Sequence, residues 1–175
     1  MLPIHLILQN LLYSFSQLAI PWDNVDEEYL MVPRKWSADD IKSFMVTIGP
    51  VSSIFDITTF IMLWFVFGAN SVGMQSLFHT GWFVEGLLSQ TIIVHMIRTR
   101  KIPFLESRAS NIVLVMTTIV VALGIIIPQT SFGETLGLIR LPGNYYIYLI
   151  VMIAAYAYLS QKIKTYYIKR YGKWF

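Results

Sequence analysis

The sequence predicts an all-α membrane protein, a single domain over residues 1–175 built as a bundle of five transmembrane helices. Three observations carry this. The chain is 55% hydrophobic and only 13% charged, with a mean hydropathy of +0.59, whereas soluble domains carry about 25% charged residues. The charges cluster, leaving five long runs almost free of them, at about 2–21, 44–68, 80–96, 111–127 and 144–159. Finally, 12 of the 13 basic residues fall in alternate connections. Hydrocarbon offers backbone groups no water, so such runs are expected to form helices packed against one another.

The first run, LPIHLILQNLLYSFSQLAIP, is long enough to cross a bilayer, which takes about 20 residues. It nevertheless carries His5, Gln9, Asn10, Tyr13, Ser14, Ser16 and Gln17, which at about 100° per residue cover roughly half the helix. Leu8, Leu11, Leu12, Phe15 and Leu18 take the other half. Asn10, Ser14 and Gln17 stack along one line. Two readings of that line stand: interhelical hydrogen bonding, or a ligand or ion path. In either case the polar side is expected to face companions this chain does not itself contain. The N-terminus has no basic region or small-residue cleavage site and does not read as a signal peptide.

The connection 22–43 holds Arg34, Lys35 and Lys42 beside six acids, Asp23, Asp26, Glu27, Glu28, Asp39 and Asp40. It reads as a solvated loop that docks a neighbouring domain. Ser37 followed by Asp40 resembles a capping box, so a helix is expected to lead from there into the second span. In that span, Gly49-Pro50 should loosen or kink the helix. Asp56 follows, flanked by Ser52, Ser53 and Thr59. It is either a packing carboxyl in a serine-rich interface or an ion or proton site. The third span places Gly81, Glu85 and Ser89 on one close-packing stripe, and Glu85 leaves the same choice open. The third and fifth spans look short, so interfacial residues or local thinning are expected at their ends.

Orientation follows from the basic residues. The connections 22–43 and 98–110 and the tail after Leu159 hold 12 of them, and the opposite connections hold only Arg140. The basic face is expected to be cytoplasmic, with the N-terminus outside and the C-terminus inside. An uncharged first span whose N-terminus must cross the membrane suggests a piece of something longer. Lys162, Lys164, Lys169 and Lys173 also suit anionic lipid head groups. Because this face lies against the membrane, nucleic-acid binding is not expected. Trp and Tyr, part of a 15% aromatic share, gather near span ends as interface anchors.

Other chemistry finds little support. With no cysteine there are no disulfides, thiolate metal sites or cysteine nucleophiles. His79 and His95 are too far apart on one span to share a metal, and His5 reads as alone. No HExxH, GxxxxGK[ST] or GxSxG pattern occurs.

Three blocks, QNLLYSFSQLAIPWDNVD, GPVSSIFDITTF and GWFVEGLLSQTIIVHMIRTRKIPF, resemble successive segments of magnesium-transporting P-type ATPases of the MgtA/MgtB type. The likeness covers their C-terminal membrane region, the sixth to tenth of ten helices, and is weakest after Leu105. It implies a plasma-membrane location and one wall of an Mg²⁺ path leading into the cytoplasm. It also implies partner helices and cytoplasmic domains not contained here. The phosphorylation motif DKTGT, the TGE motif and the hinge GDGxNDxP are absent, so ATP would act only through those domains and no hydrolysis is expected from this chain alone. In the family pattern Asn-Leu-Leu-Tyr-Asp, Asn10 to Tyr13 match but Ser14 replaces the acid. Mg²⁺ is typically held through one or two carboxylates, so Asn10 and Ser14 imply a weakened metal site. Gln17, Asp56 and Glu85 are further intramembrane polar candidates. Two alternatives stand beside the pump: a stand-alone membrane scaffold or regulator, and a secondary cation carrier using Asp56 and Glu85.

Overall fold

The computed structural model describes residues 1–31, 38–172 and 174, with 28, 29, 38–41 and 44 described by their backbone. The Ser37–Asp40 capping pattern, Arg34, Lys35 and Lys173 lie outside the described residues, as do the side chains of Glu28, Asp39 and Asp40. The described fold is all-α.

Helix α1 spans Pro3–Gln17, with Pro3 at a position that needs no donor, and a 3₁₀ turn at Ile20–Trp22 follows. A short α2 covers Glu27–Leu30. Helix α3 runs Ala38–Ile61, so the second apolar run is entered by a helix already formed at Ala38. It continues through Pro50, whose missing N–H removes one backbone bond. A π-turn over Met62–Val66 ends it, with the Phe67 N–H reaching the Met62 carbonyl at 3.2 Å. Helix α4 is Gln75–Ile97, and α5 is Asn111–Ile126 with Ser110 as N-cap, its hydroxyl accepting from the Val113 N–H. A 3₁₀ turn and the short α6, Ser131–Thr135, reverse the chain. Helix α7 then runs Gly143–Tyr171 and stops at Gly172, whose φ of 72° suits a residue without Cβ. The basic stretch after Leu159 is therefore the last part of α7 as far as Tyr171.

Helix α4 is the centre of the bundle and packs on α1, α3, α5 and α7. Phe83, Val84, Glu85 and Leu87 are all buried, so it has no free face. An all-round buried helix need not be apolar throughout, and this one carries Thr80, Glu85, Thr91 and His95 inside. The main core joins Leu63 of the π-turn, Phe83 and Leu87 of α4, Val120 of α5, and Tyr145 and Leu149 of α7.

Among the described residues, three stretches are long and apolar enough to cross a membrane, Met45–Val66, Asn111–Gln129 and Gly143–Tyr171. The chain is a membrane protein on this ground, whereas five spans exceed what length and composition establish. The 15 residues of α1 rise only about 22 Å, short of a hydrocarbon core of about 30 Å. Helix α4 is long enough, but its buried polar residues dilute its hydropathy.

Candidate functional site

The polar residues of α1 do not form one face. His5, Gln9 and Ser16 turn inward with Leu12, whereas Asn10 and Ser14 lie on the exposed side among Ile7, Leu11 and Leu18. Gln17 is half-buried between the two sides. The inward set is engaged within the chain. His5, fully buried, accepts from the Leu2 N–H through Nδ1, which leaves Nε2 to donate to the Leu136 carbonyl at 2.7 Å. It is not alone, since its ring centroid lies 5.8 Å from that of His79. The Ser16 hydroxyl donates to the Tyr13 carbonyl. Gln9 reaches α4 at Gly86, where an added Cβ would stand 2.5 Å from its Nε2.

Where α1, α3, α4 and α7 meet there is a cavity of about 230 Å³. Gln9, Ser52, Asp56, Trp82, Ser89, Gln90 and Tyr156 supply its polar lining. Trp82 Nε1 donates to Asp56 Oδ1 at 3.3 Å, and the hydroxyls of Ser52 and Tyr156 bond each other at 2.8 Å. Glu85, 2% exposed, lies within electrostatic reach of Asp56, and its Oε2 has no hydrogen-bond partner. The hydroxyls of Ser89 and Thr59 stand beside its carboxyl, with Ser89 also donating to the Gly86 carbonyl and Thr59 also facing Met152 Sδ. The structure thus brings Asp56 and Glu85 together and separates them from Asn10 and Ser14 by the body of α1. Gln90 and Tyr156 went unread in the sequence. The Ser-Gln pair after Glu85 was a usable signal for the first, and nothing in the apolar run of α7 marked the second.

At one end of α1, the connection to α2 is clamped onto the α4–α5 connection. Asp23 accepts from Arg98 Nε at 2.6 Å and from the Ser110 N–H at 2.8 Å. Asp26 accepts from the Thr99 hydroxyl at 2.7 Å, the Arg100 N–H at 3.1 Å and the Ser107 hydroxyl at 3.0 Å. The expectation of a solvated acidic loop therefore fails for these two acids, which bind their own chain. Partial burial works to raise the Asp26 pKa, but those hydrogen bonds and nearby Lys101 carry it below the ordinary carboxylate value. Lys164, expected at the lipid surface, is 2% exposed and donates to the carbonyls of Met96, Thr99 and Lys101. Lys162, Lys169 and Arg170 remain exposed. Among the described residues, no three His, Asp or Glu side chains are grouped to hold a metal ion directly.

An all-helical membrane bundle with polar groups at its core narrows the class without fixing it; comparison with known proteins does. The chain belongs to the family described as cation transporting ATPase, C-terminus, whose model matches residues 1–166. Its relatives include two proteins named magnesium-transporting ATPase, P-type 1. The one from Salmonella typhimurium strain LT2 is 54% identical over 175 residues, covering 100% of this chain and 19% of the relative. The one from Escherichia coli K12 is 51% identical over 172 residues, covering 98% and 19% respectively. The chain thus spans about a fifth of the length of these relatives.

Proposed function

We propose that this chain is the C-terminal membrane subdomain of a P-type Mg²⁺ pump and forms one wall of the path by which the ion enters the cytoplasm. In this reading it supplies five spans, equivalent to the sixth to tenth helices, in the plasma membrane with its N-terminus outside and C-terminus inside. ATP acts through domains outside this chain, and Lys162, Lys169 and Arg170 rest on anionic lipid. The observation that carries the reading is the Asn10–Ser14 line. An amide and a hydroxyl stand on the exposed, otherwise apolar side of α1, where hydrocarbon would not solvate them. They call for protein or hydrated cargo opposite.

Two neutral oxygens hold Mg²⁺ less well than a site with a carboxylate. In a complete pump carrying this chain as its C-terminal part, Ser14→Asp should raise Mg²⁺-stimulated ATP turnover. Unchanged turnover across a Mg²⁺ titration would refute the ligand role of this position.

A further inference from the structure

The cavity on the inner side of α1 has a chemistry of its own. Among the described residues its lining holds one carboxylate, Asp56, with Met1 at its edge and no Lys, Arg or His side chain. Glu85, within electrostatic reach, adds a second, and Oε2 of Glu85 and Oε1 of Gln90 are both buried without a hydrogen-bond partner. Among the described residues, Asp56 receives one long bond, from Trp82. A charged carboxylate at membrane depth costs about 2.5–3.5 kcal/mol even on lenient scales, a cost that a positive species beside it would offset.

The size of the chamber admits a hydrated ion. At about 30 Å³ for each liquid water, the 230 Å³ holds roughly seven. That is room for a small divalent cation with its six-water shell, whereas a proton needs no such space. Small hard cations give up their waters reluctantly. No three acidic or imidazole groups are gathered among the described residues to replace those waters.

We propose that this chamber is a second cation site, taking a hydrated divalent ion of the Mg²⁺ class held through its waters by Asp56, Ser89 and Gln90. Glu85, behind the lining, is a second acid within electrostatic reach of Asp56. The site is distinct from the Asn10–Ser14 line, because α1 contributes Leu6 and Gln9 to the lining and neither Asn10 nor Ser14.

The test is a Mn²⁺ titration of the full chain in lipid nanodiscs, read by electron paramagnetic resonance. Hexaamminecobalt(III), an inert replica of a six-water cation, serves as competitor, and circular dichroism checks the helix content of each variant. One Mn²⁺ per chain is expected, displaced by the hexaammine complex. Asp56→Asn should weaken binding at least tenfold. Glu85→Gln and Gln90→Leu should weaken it several-fold, with Gln90→Leu leaving the charge unchanged should either acid variant misfold. Asn10→Ala with Ser14→Ala should leave it unaltered. Absence of stoichiometric Mn²⁺, failure of the hexaammine complex to compete, or full binding in folded Asp56→Asn and Glu85→Gln chains would overturn the proposal. Binding lost only in the Asn10/Ser14 variant would overturn it too, assigning the ion to the outer face.

Discussion

Lys164 shows how one side chain can tie two helices. Its ammonium sits at the C-terminal end of α4 and donates to Met96, Thr99 and Lys101 at 3.0, 3.2 and 2.8 Å. The last carbonyls of a helix lack intrahelical partners, and their partial negative charge favours a cation. Lys164→Met keeps the apolar stem and removes all three bonds. A loss of about 2–4 kcal/mol is expected, because unsatisfied buried groups cost about 1–3 kcal/mol each and the carbonyls will share what water enters. Thermal unfolding followed by circular dichroism measures it. Asp26 gives the pH dependence. Its carboxylate is held below its usual value, so it stabilises the fold above the unfolded pKa, about 3.9. That contribution fades as pH falls through the lower folded value. Asp26→Asn should therefore be less stable than the parent at neutral pH, with the gap closing in acid. A gap that persists unchanged well below pH 3.9 would contradict the assignment. Neither residue's role was legible in the sequence. Lys164 reads as one more basic anchor and Asp26 as one of six loop acids, because their partners lie more than 60 positions away.

At the scale of elements, close approach governs the packing of α4 and the reversal before α7. A Cβ on Gly86 would meet only the flexible end of Gln9, at 2.5 Å, whereas one on Gly133 would meet the backbone carbonyl of Ile127 at 2.2 Å. The same substitution should therefore have unequal effects. Gly86→Ala lets the amide step aside and gains helix propensity of about 1 kcal/mol, so its net change should be small. Gly133→Ala must move backbone and should cost about 1–3 kcal/mol. Apparent melting temperatures of the two variants, side by side, check this. Tyr145 adds a second tie, its hydroxyl donating to the Gly81 carbonyl at 2.6 Å. Tyr145→Phe should cost about 1 kcal/mol. Gly81 was legible as a close-packing position from its spacing with Glu85 and Ser89. The extent of α7 was not, because Lys162, Lys164, Lys169 and Arg170 imitate a solvated tail when read by charge alone.

For the whole molecule, the fold class and the places of α3, α4, α5 and α7 were readable from gaps between charges, since lipid excludes charge over a fixed length. The candidate sites were readable only as a list. Periodicity put Asn10, Ser14 and Gln9 on one polar half of α1, yet packing against α4 at Gly86 takes Gln9 inward and leaves the other two outside. Which side of a polar arc meets which neighbour is decided by tertiary contacts that no single helix encodes. The central claim is that this outer side is covered in the working protein. The most direct measurement exploits the absence of cysteine from the sequence. Single cysteines at positions 10 and 14, and at the exposed apolar Ile150 of α7, would carry nitroxide spin labels in a complete pump built on the Salmonella relative. Collision rates with oxygen and with a water-soluble nickel chelate are then compared. The account expects labels at 10 and 14 to be shielded from oxygen relative to 150 and reached by the chelate. Oxygen collision at 10 and 14 as frequent as at 150, with no chelate contact, would place that line in lipid and contradict it.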